Sequence, residues 1–304
     1  MDCQHIISEI GESLKQKPLE GQVASYIPEL SCIDPKKFGV YLQTTQGKIY
    51  RYGDSNECFS IQSIAKVFLL VLAYQLEGEA LWERVDVEPS GTSFNSLMQL
   101  EYEKGIPRNP MINAGALVLC DVLFTHLADP KTEMLHFIRK LGNNQDINYS
   151  NKIARSEQSK GYRNYALANY LKSLGNLNHN IDAVTDFYFH TCSIEMTCQE
   201  LAQSFMFLAN KGIQPQSGEL LIKEEETRRI NAIMQTCGFY DEAGEFAFRV
   251  GLPGKSGVGG GIVALKPNEY VISVWSPPLN SLGNSQRGME FLEAFTSQAE
   301  SSIF

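Results

Sequence analysis

The 304-residue sequence lacks the basic surplus and the long apolar segments that nucleic-acid or membrane binding would require. Its formal net charge is −9 at pH 7, whereas nucleic acids and anionic membranes attract surfaces rich in Lys and Arg. The longest apolar run, residues 67–74, is too short to span a bilayer. We therefore expect neither nucleic acid nor a membrane among the partners.

Export signals and disulfide patterns are also missing. Residues 1–18, MDCQHIISEIGESLKQKP, contain no basic segment followed by an apolar one, so a secretory signal is not expected. The seven cysteines are odd in number, loosely spaced and without a CxxC pair, which favours free thiols in a reducing compartment. We expect a cytoplasmic protein.

Metal-binding patterns are absent as well. None of the five histidines falls into HExxH or another recognisable ligand spacing. The sequence therefore predicts no metal site.

The pattern of apolar residues predicts strands near both ends of the chain and helices between them. Strands joined by hairpin turns are expected at 38–44 and 48–53, and again at 260–266 and 269–277. The intervening segment 114–235 shows mostly helical periodicity. An amphipathic helix is expected at 3–16, and a final helix at about 285–300.

This order predicts an α+β fold, in which an antiparallel sheet flanked by helices packs beside an all-helical lobe. No linker or repeat divides the chain, so we expect one domain over residues 1–304. Within it, residues 1–60 and 236–304 would form the sheet lobe, and residues 61–235 the mainly helical lobe. A site in the crevice between such lobes is the natural expectation.

The segment FSIQSIAKVF (59–68) places a serine three residues before a lysine. That spacing puts Ser63 and Lys66 on one helical face. A serine hydroxyl becomes a good nucleophile when a base removes its proton, and burial lowers the pKa of a lysine so that it can act as that base. An isolated Ser-x-x-Lys is more often structural, with a solvent-facing or capping serine and an extended surface lysine.

A second segment, GLPGKSGVGGGIVALK (251–266), carries Lys255-Ser256-Gly257 before a predicted strand. It is not a Walker A loop, because Arg249 stands where that motif needs glycine. No G-x-S-x-G string is present either. A Lys-Ser-Gly strand does accompany Ser-x-x-Lys in one class of serine hydrolases, whereas a glycine-rich hairpin alone would not explain the pairing.

The sequence closely resembles the serine-dependent glutaminases, which share the β-lactamase and penicillin-binding-protein architecture. The resemblance covers essentially the whole chain and includes these stretches: GQVASYIPEL (21–30), FSIQSIAKVF (59–68), PRNPMINAGA (107–116), SEQSKGYRNYALA (156–168), DFYFHTCS (186–193), LANKG (208–212) and CGFYDEAGEFAFRVGLPGKSGVGGGIVA (237–264). Ala65 departs from the serine found in many bacterial members. The Ser-Asp-Asn of the penicillin-recognising relatives has only SFN (93–95) as a counterpart.

The resemblance implies a role for each catalytic position. Ser63 would attack the side-chain amide of L-glutamine, with Lys66 as general base. Tyr26 and Tyr240 would move protons or orient the amide. The backbone N–H groups of Ser63 and Val258 would form the oxyanion hole.

It also implies how the amino-acid end of the substrate is bound, by Asn113, Glu157, Asn164 and Tyr188. Glu157 suits the α-ammonium group as a charge-assisted acceptor, and the other three offer neutral donors to the α-carboxylate. Singly, these residues also fit ordinary roles, as helix caps, helix-surface groups or core aromatics.

The implied reaction yields L-glutamate and ammonia through an acyl-enzyme, with no metal and no organic cofactor. Family resemblance further implies a homodimer or homotetramer. Two alternatives remain open at this point: a penicillin-interacting serine hydrolase, and a non-catalytic module that senses glutamine or glutamate.

Overall fold

The computed structural model describes residues 3–91 and 95–304, so Ser93 and Phe94 of the SFN segment lie outside the described residues. The helices are α1 (Cys3–Gln16), α2 (Pro28–Ser31), α3 (Ala65–Glu77), α4 (Leu97–Tyr102), α5 (Asn113–His126), α6 (Pro130–Gly142), α7 (Asn151–Lys160), α8 (Tyr162–Ser173), α9 (Ile181–Cys192), α10 (Cys198–Ala209), α11 (Glu224–Cys237), α12 (Ala243–Arg249) and α13 (Gln286–Gln298). The strands are β1 (Gly39–Thr44), β2 (Ile49–Gly53), β3 (Phe59–Ser60), β4 (Asn148–Tyr149), β5 (Ile194–Met196), β6 (Gly254–Ser256), β7 (Gly261–Lys266) and β8 (Tyr270–Trp275).

A five-stranded antiparallel sheet joins the two ends of the chain, in the order β2-β1-β8-β7-β6. In its centre Val274 of β8 is opposite Val40 of β1 and Ile262 of β7. Successive side chains of a strand point to opposite faces, and both faces of the three central strands β1, β8 and β7 are buried. One face packs on α1 and α13, and the other packs on α10.

Burial on both faces explains why β7 and β8 read as continuous apolar runs instead of alternating ones. The predicted antiparallel sheet with flanking helices is confirmed, and the predicted strand bounds agree with the observed ones to within two residues. The boundaries proposed for the two lobes stay a prediction.

Two helices without a polar face form the centre of the helical part. Residues 65–71 of α3 and 113–123 of α5 are buried throughout, and the two helices pack against each other. Helices that are apolar all round occupy the interior of a protein. Within the described residues, no helix has both the length and the apolar composition needed to cross a membrane.

A small second sheet, in the order β3-β5-β4, was not predicted. Its strands are two or three residues long, too short to show a period in the sequence. Phe59 pairs with Met196, which fixes the segment that leads from β3 into α3 against the end of α9.

Candidate active site

Ser63 lies in a single 3₁₀ turn, Gln62–Ile64, between β3 and α3. It therefore precedes the α-helix instead of lying within it. Gln62 has a φ of +48°, in the left-handed region that side chains other than glycine rarely adopt. A hydrogen bond from Gln62 Nε2 to Ser60 Oγ (3.1 Å) supports this turn.

The loop that carries Val258 lies directly against this turn. A Cβ on Gly257 would be 2.4 Å from the carbonyl oxygen of Ile61, and one on Gly259 would be 2.1 Å from that of Ser60. Only glycine permits such a close approach of two backbones. The glycines on either side of Val258 thus hold it beside Ser63.

Ser63 opens into a cavity of about 340 Å³, large enough for a free amino acid. Seven of the residues predicted from the sequence line this cavity: Tyr26, Ser63, Asn113, Glu157, Asn164, Tyr188 and Val258. The other two, Lys66 and Tyr240, contact these residues from the protein interior. The cavity wall also includes residues that the sequence reasoning missed: Gln62, Asn95, Lys160, Gly161, Arg163, Phe189 and Cys192.

Most of the missed residues are sequence neighbours of predicted ones. Gln62 precedes Ser63, and Arg163 precedes Asn164. Cys192 follows Tyr188 by one helical turn of α9, so helical spacing could have found it. Asn95 is remote in sequence and reaches the cavity through a hydrogen bond from Arg163 Nη1 (2.9 Å).

Lys66 is fully buried on the first turn of α3. Its Nζ donates hydrogen bonds to the carbonyl oxygen of Met111 (3.1 Å) and to Oδ1 of Asn113 (2.7 Å). Burial disfavours the charged form of the amine and lowers its pKa to about 8. The neutral form of Lys66 is therefore more accessible near neutral pH than that of an ordinary lysine.

Asn113 connects three helices through its side-chain amide. Its Oδ1 accepts from Lys66 of α3 and from the Tyr188 hydroxyl of α9 (3.2 Å), and its Nδ2 donates to Asn164 Oδ1 of α8 (2.9 Å). These contacts fix which end of the amide faces the lysine.

Glu157 and Tyr26 meet at the outer part of the cavity. The Tyr26 hydroxyl donates a 2.6 Å hydrogen bond to Glu157 Oε1. Burial raises the pKa of Glu157, and the hydrogen bond from Tyr26 acts in the opposite direction. A carboxylate in such a setting favours a positively charged partner, because a nearby cation stabilises its ionised form.

Tyr240 and Lys255 lie behind Ser63. Lys255 is fully buried, its Nζ donates to the carbonyl oxygen of Ser256 (2.6 Å), and it lies 4.3 Å from the ring centroid of Tyr240. Burial lowers the pKa of Lys255, and the charge of Lys66 lowers it further. Burial raises the pKa of Tyr240, and its interaction with the Ser63 side chain partly offsets this.

The arrangement places a serine hydroxyl, two buried amines and a phenol together at the base of a polar cavity. Such a set suits nucleophilic attack on a carbonyl group. In the described part of the chain, no cluster of three or more His, Cys, Asp or Glu side chains is placed to hold a metal ion. All seven cysteines are described, and each is a free thiol.

Comparisons with known proteins identify the family of the chain. The family model described as "Glutaminase" matches residues 21–304. A glutaminase from Christiangramia forsetii is 54% identical over 304 residues, covering 100% of both chains.

Two solved structures are also similar. A probable glutaminase, ybaS, has a TM-score of 0.94 and 32% identity, covering 99% of this chain and 98% of that chain. A probable glutaminase from Bacillus subtilis, complexed with 6-diazo-5-oxo-L-norleucine, has a TM-score of 0.90 and 30% identity, covering 100% of this chain and 97% of that chain.

Fold and site together define a hydrolase with a β-lactamase-like fold, as the sequence predicted. The chain belongs to the glutaminase family. It is accordingly a glutaminase enzyme, and glutamine follows as its substrate from the family.

Proposed function

We propose that the chain hydrolyses the side-chain amide of L-glutamine through an acyl-enzyme on Ser63, with Lys66 as the general base. The observation that carries this proposal is the buried Lys66 amine, which has a pKa of about 8 and bonds to the cavity residue Asn113. An amine with that pKa is available as a base at neutral pH and returns the proton readily.

The partners of Lys66 support its role. A neutral amine has two N–H donors and one lone pair. Met111 and Asn113 supply two acceptors for the two N–H groups. In this proposal, the lone pair of the neutral amine takes the proton of Ser63.

Acylation follows from this arrangement. Ser63 Oγ attacks the amide carbon of glutamine while its proton moves to Lys66 Nζ. The negative oxygen accepts hydrogen bonds from the backbone N–H groups of Ser63 and Val258. The C–N bond then breaks, the nitrogen takes the proton from Lys66, and ammonia leaves an ester on Ser63.

Deacylation uses the same groups with water as the nucleophile. Water attacks the ester carbon, the C–O bond to Ser63 breaks, and Ser63 regains a proton. Glutamate is released as its carboxylate. The hydroxyl of Tyr240, which interacts with Ser63, relays protons or orients the amide. Tyr26 helps to orient the substrate through its hydrogen bond to Glu157.

Recognition of the amino-acid end rests on the polar wall of the cavity. Glu157 accepts the α-ammonium group, and the Tyr26 hydrogen bond fixes its orientation. Asn113, Asn164 and Tyr188, already joined to one another, face the α-carboxylate. A substrate that lacks either group would leave buried polar atoms unpaired and would be rejected.

The similar Bacillus subtilis structure supports this choice of substrate. It is complexed with 6-diazo-5-oxo-L-norleucine, an α-amino acid whose 5-oxo group corresponds to the amide carbonyl of glutamine. The homodimer or homotetramer and the cytoplasmic location stay predictions. Light scattering of the purified protein would test the first.

The deciding experiment measures glutamate from L-glutamine with purified protein, using coupled glutamate dehydrogenase. We expect activity in the wild type and a loss of several orders of magnitude in Ser63→Ala. Ser273→Ala is the matched control, because Ser273 is also buried but lies on β8 and donates to the carbonyl oxygen of Cys198. Equal activity of wild type and Ser63→Ala would contradict the proposal.

Alternative substrates are tested on the same preparation. Binding of glutamine without ammonia release would indicate the sensing module, and nitrocefin turnover without glutamine hydrolysis would indicate the penicillin-interacting hydrolase. L-Asparagine, shorter by one methylene, measures how strictly the cavity selects chain length.

A further inference from the structure

A buried carboxylate lies two residues after Tyr240. Glu242 ends the 3₁₀ turn Tyr240–Glu242 and is 8% exposed. Its Oε1 and Oε2 accept hydrogen bonds from Asn280 Nδ2 (3.0 and 2.9 Å), and Oε2 also accepts from Asn284 Nδ2 (2.5 Å). Among the residues that the structure describes, Glu242 is not part of the wall of the substrate cavity.

Both amides belong to one loop between β8 and α13, residues 277–285, called here the C-terminal loop. The loop is internally bonded: Oδ1 of Asn280 accepts the backbone N–H groups of Leu282 (3.0 Å) and Asn284 (3.1 Å). Asn284 is fully buried, and its Nδ2 also approaches the carbonyl oxygen of Phe239 (3.4 Å). A loop fixed in this way presents two donors to Glu242 at defined positions.

The C-terminal loop also lies close to two other segments that carry site residues. Leu279 exchanges two backbone hydrogen bonds with Gln22 (2.9 and 2.8 Å), four residues before Tyr26. Gly283 lies near Val258, since a Cβ added to Gly283 would come within 4.0 Å of Cγ1 of Val258. The loop thus lies against the segments that carry Tyr26, Val258 and Tyr240.

Tyr240 needs such support because of its backbone conformation. Its φ is +55°, a region that is strained for a bulky side chain and persists only where the surroundings hold it. Glu242 is the charged end of the same short turn, and its bonds to Asn280 and Asn284 are the stronger, charge-assisted kind.

We propose that Glu242 is a positioning residue for the reaction: through Asn280 and Asn284 it ties the Tyr240 turn to the C-terminal loop and so fixes the Tyr240 hydroxyl against Ser63. This inference rests on the role proposed for Tyr240. Glu242 itself touches neither substrate nor the reacting atoms.

Two substitutions that exchange the carboxylate and the amide between positions 242 and 280 test the hydrogen bonds between these side chains. Glu242→Gln replaces one acceptor oxygen with an NH₂ group, which then faces the NH₂ group of Asn280 or Asn284. Asn280→Asp places a second carboxylate against the carboxylate of Glu242. Each single variant should lower kcat for glutamine by about tenfold, the size expected for one charge-assisted hydrogen bond, with KM little changed.

The double variant, with both substitutions, restores the pattern. The new amide at position 242 donates to the new carboxylate at position 280 and accepts from Asn284, while that carboxylate keeps the bonds to the backbone of the loop. We expect most of the lost kcat to return. Thermal unfolding and circular dichroism of each variant establish that the comparison is made between folded proteins.

The same substitution made in the Tyr240→Phe variant distinguishes a positioning role of Glu242 from a general loss of stability. If Glu242 acts through the Tyr240 hydroxyl, Glu242→Gln causes no further loss of kcat once that hydroxyl is gone. Unchanged kcat in Glu242→Gln, an equal loss in both backgrounds, or no recovery in the double variant would overturn the positioning role alone. A wild type that releases no glutamate would overturn the proposed function, and the positioning role with it.

Discussion

Lys66 and Asn113 are joined by a 2.7 Å hydrogen bond between Nζ and Oδ1, across the interface of α3 and α5. The same asparagine oxygen accepts from Tyr188, and the asparagine amide donates to Asn164. The bond therefore connects the proposed base to the residues proposed to hold the substrate carboxylate.

Replacing Asn113 with Asp should change the pH dependence of the reaction. Lys66 acts in its neutral form, so activity is lost as the pH falls through its pKa, which is about 8 in the wild type. A carboxylate at position 113 stabilises the ammonium form and raises that pKa. The acidic limb of the kcat/KM profile should move to higher pH, and an unmoved limb would contradict a titrating Lys66.

Glu157→Gln should weaken binding more than turnover. The substitution keeps the shape and the bond to Tyr26 but removes the charge offered to the α-ammonium group. We expect KM for glutamine to rise by roughly tenfold or more, with a smaller change in kcat. Glu225→Gln, at an exposed ion pair on α11, is the matched control. A selective fall in kcat would assign Glu157 to the chemistry instead.

Gly259→Ala should damage both stability and catalysis. Its new Cβ would lie 2.1 Å from the Ser60 carbonyl oxygen, so the Val258 loop must move away from Ser63. We expect a loss of about 1–3 kcal/mol in the free energy of unfolding and a fall in kcat of about tenfold or more.

Gly244→Ala in α12 is the comparison for Gly259→Ala. A Cβ at Gly244 would meet no heavy atom within 4 Å, and alanine suits a helix better than glycine does. This variant should keep wild-type activity and be as stable or slightly more stable. Wild-type kcat in Gly259→Ala would show that Val258 need not lie at its observed position.

Asp121→Asn tests an ion pair outside the site. Asp121 is fully buried on α5, and it accepts from Arg84 (2.7 Å), from the His179 ring (2.9 Å) and from two backbone N–H groups. Removing its charge leaves Arg84 without its buried partner. We expect a loss of about 3 kcal/mol in the free energy of unfolding at neutral pH.

The pH dependence of that loss has a defined sign. Burial alone would raise the pKa of Asp121, but its hydrogen bonds to His179, Arg84 and Asn178 hold the pKa below the usual value. The stabilisation is therefore present above the unfolded pKa, about 3.9, and is lost as pH falls through the folded pKa. Denaturant titrations should show that the difference in unfolding free energy between the wild type and Asp121→Asn becomes smaller in acid. Asp146→Asn, at an exposed position, is the control. A difference that becomes larger in acid would contradict this prediction.

The sequence predicted the long elements and about half of the residues that line the cavity, because those signals are periodic or belong to a family motif. It could not predict the left-handed conformations of Gln62 and Tyr240, since these depend on contacts made by distant segments. For the same reason the bonds of Glu242 to Asn280 and Asn284 were not visible. The chemical roles assigned to the site residues stay predictions until the variants are measured.

The most direct measurement is the acylation of Ser63. The protein is mixed rapidly with L-glutamine, the reaction is quenched, and the peptide that contains Ser63 is analysed by mass spectrometry. The wild type should show a glutamyl ester on Ser63, and Lys66→Arg should not form it, because arginine keeps its proton at every accessible pH. Equal ester formation in the two proteins, or none in an active wild type, would contradict the claim that Lys66 activates Ser63.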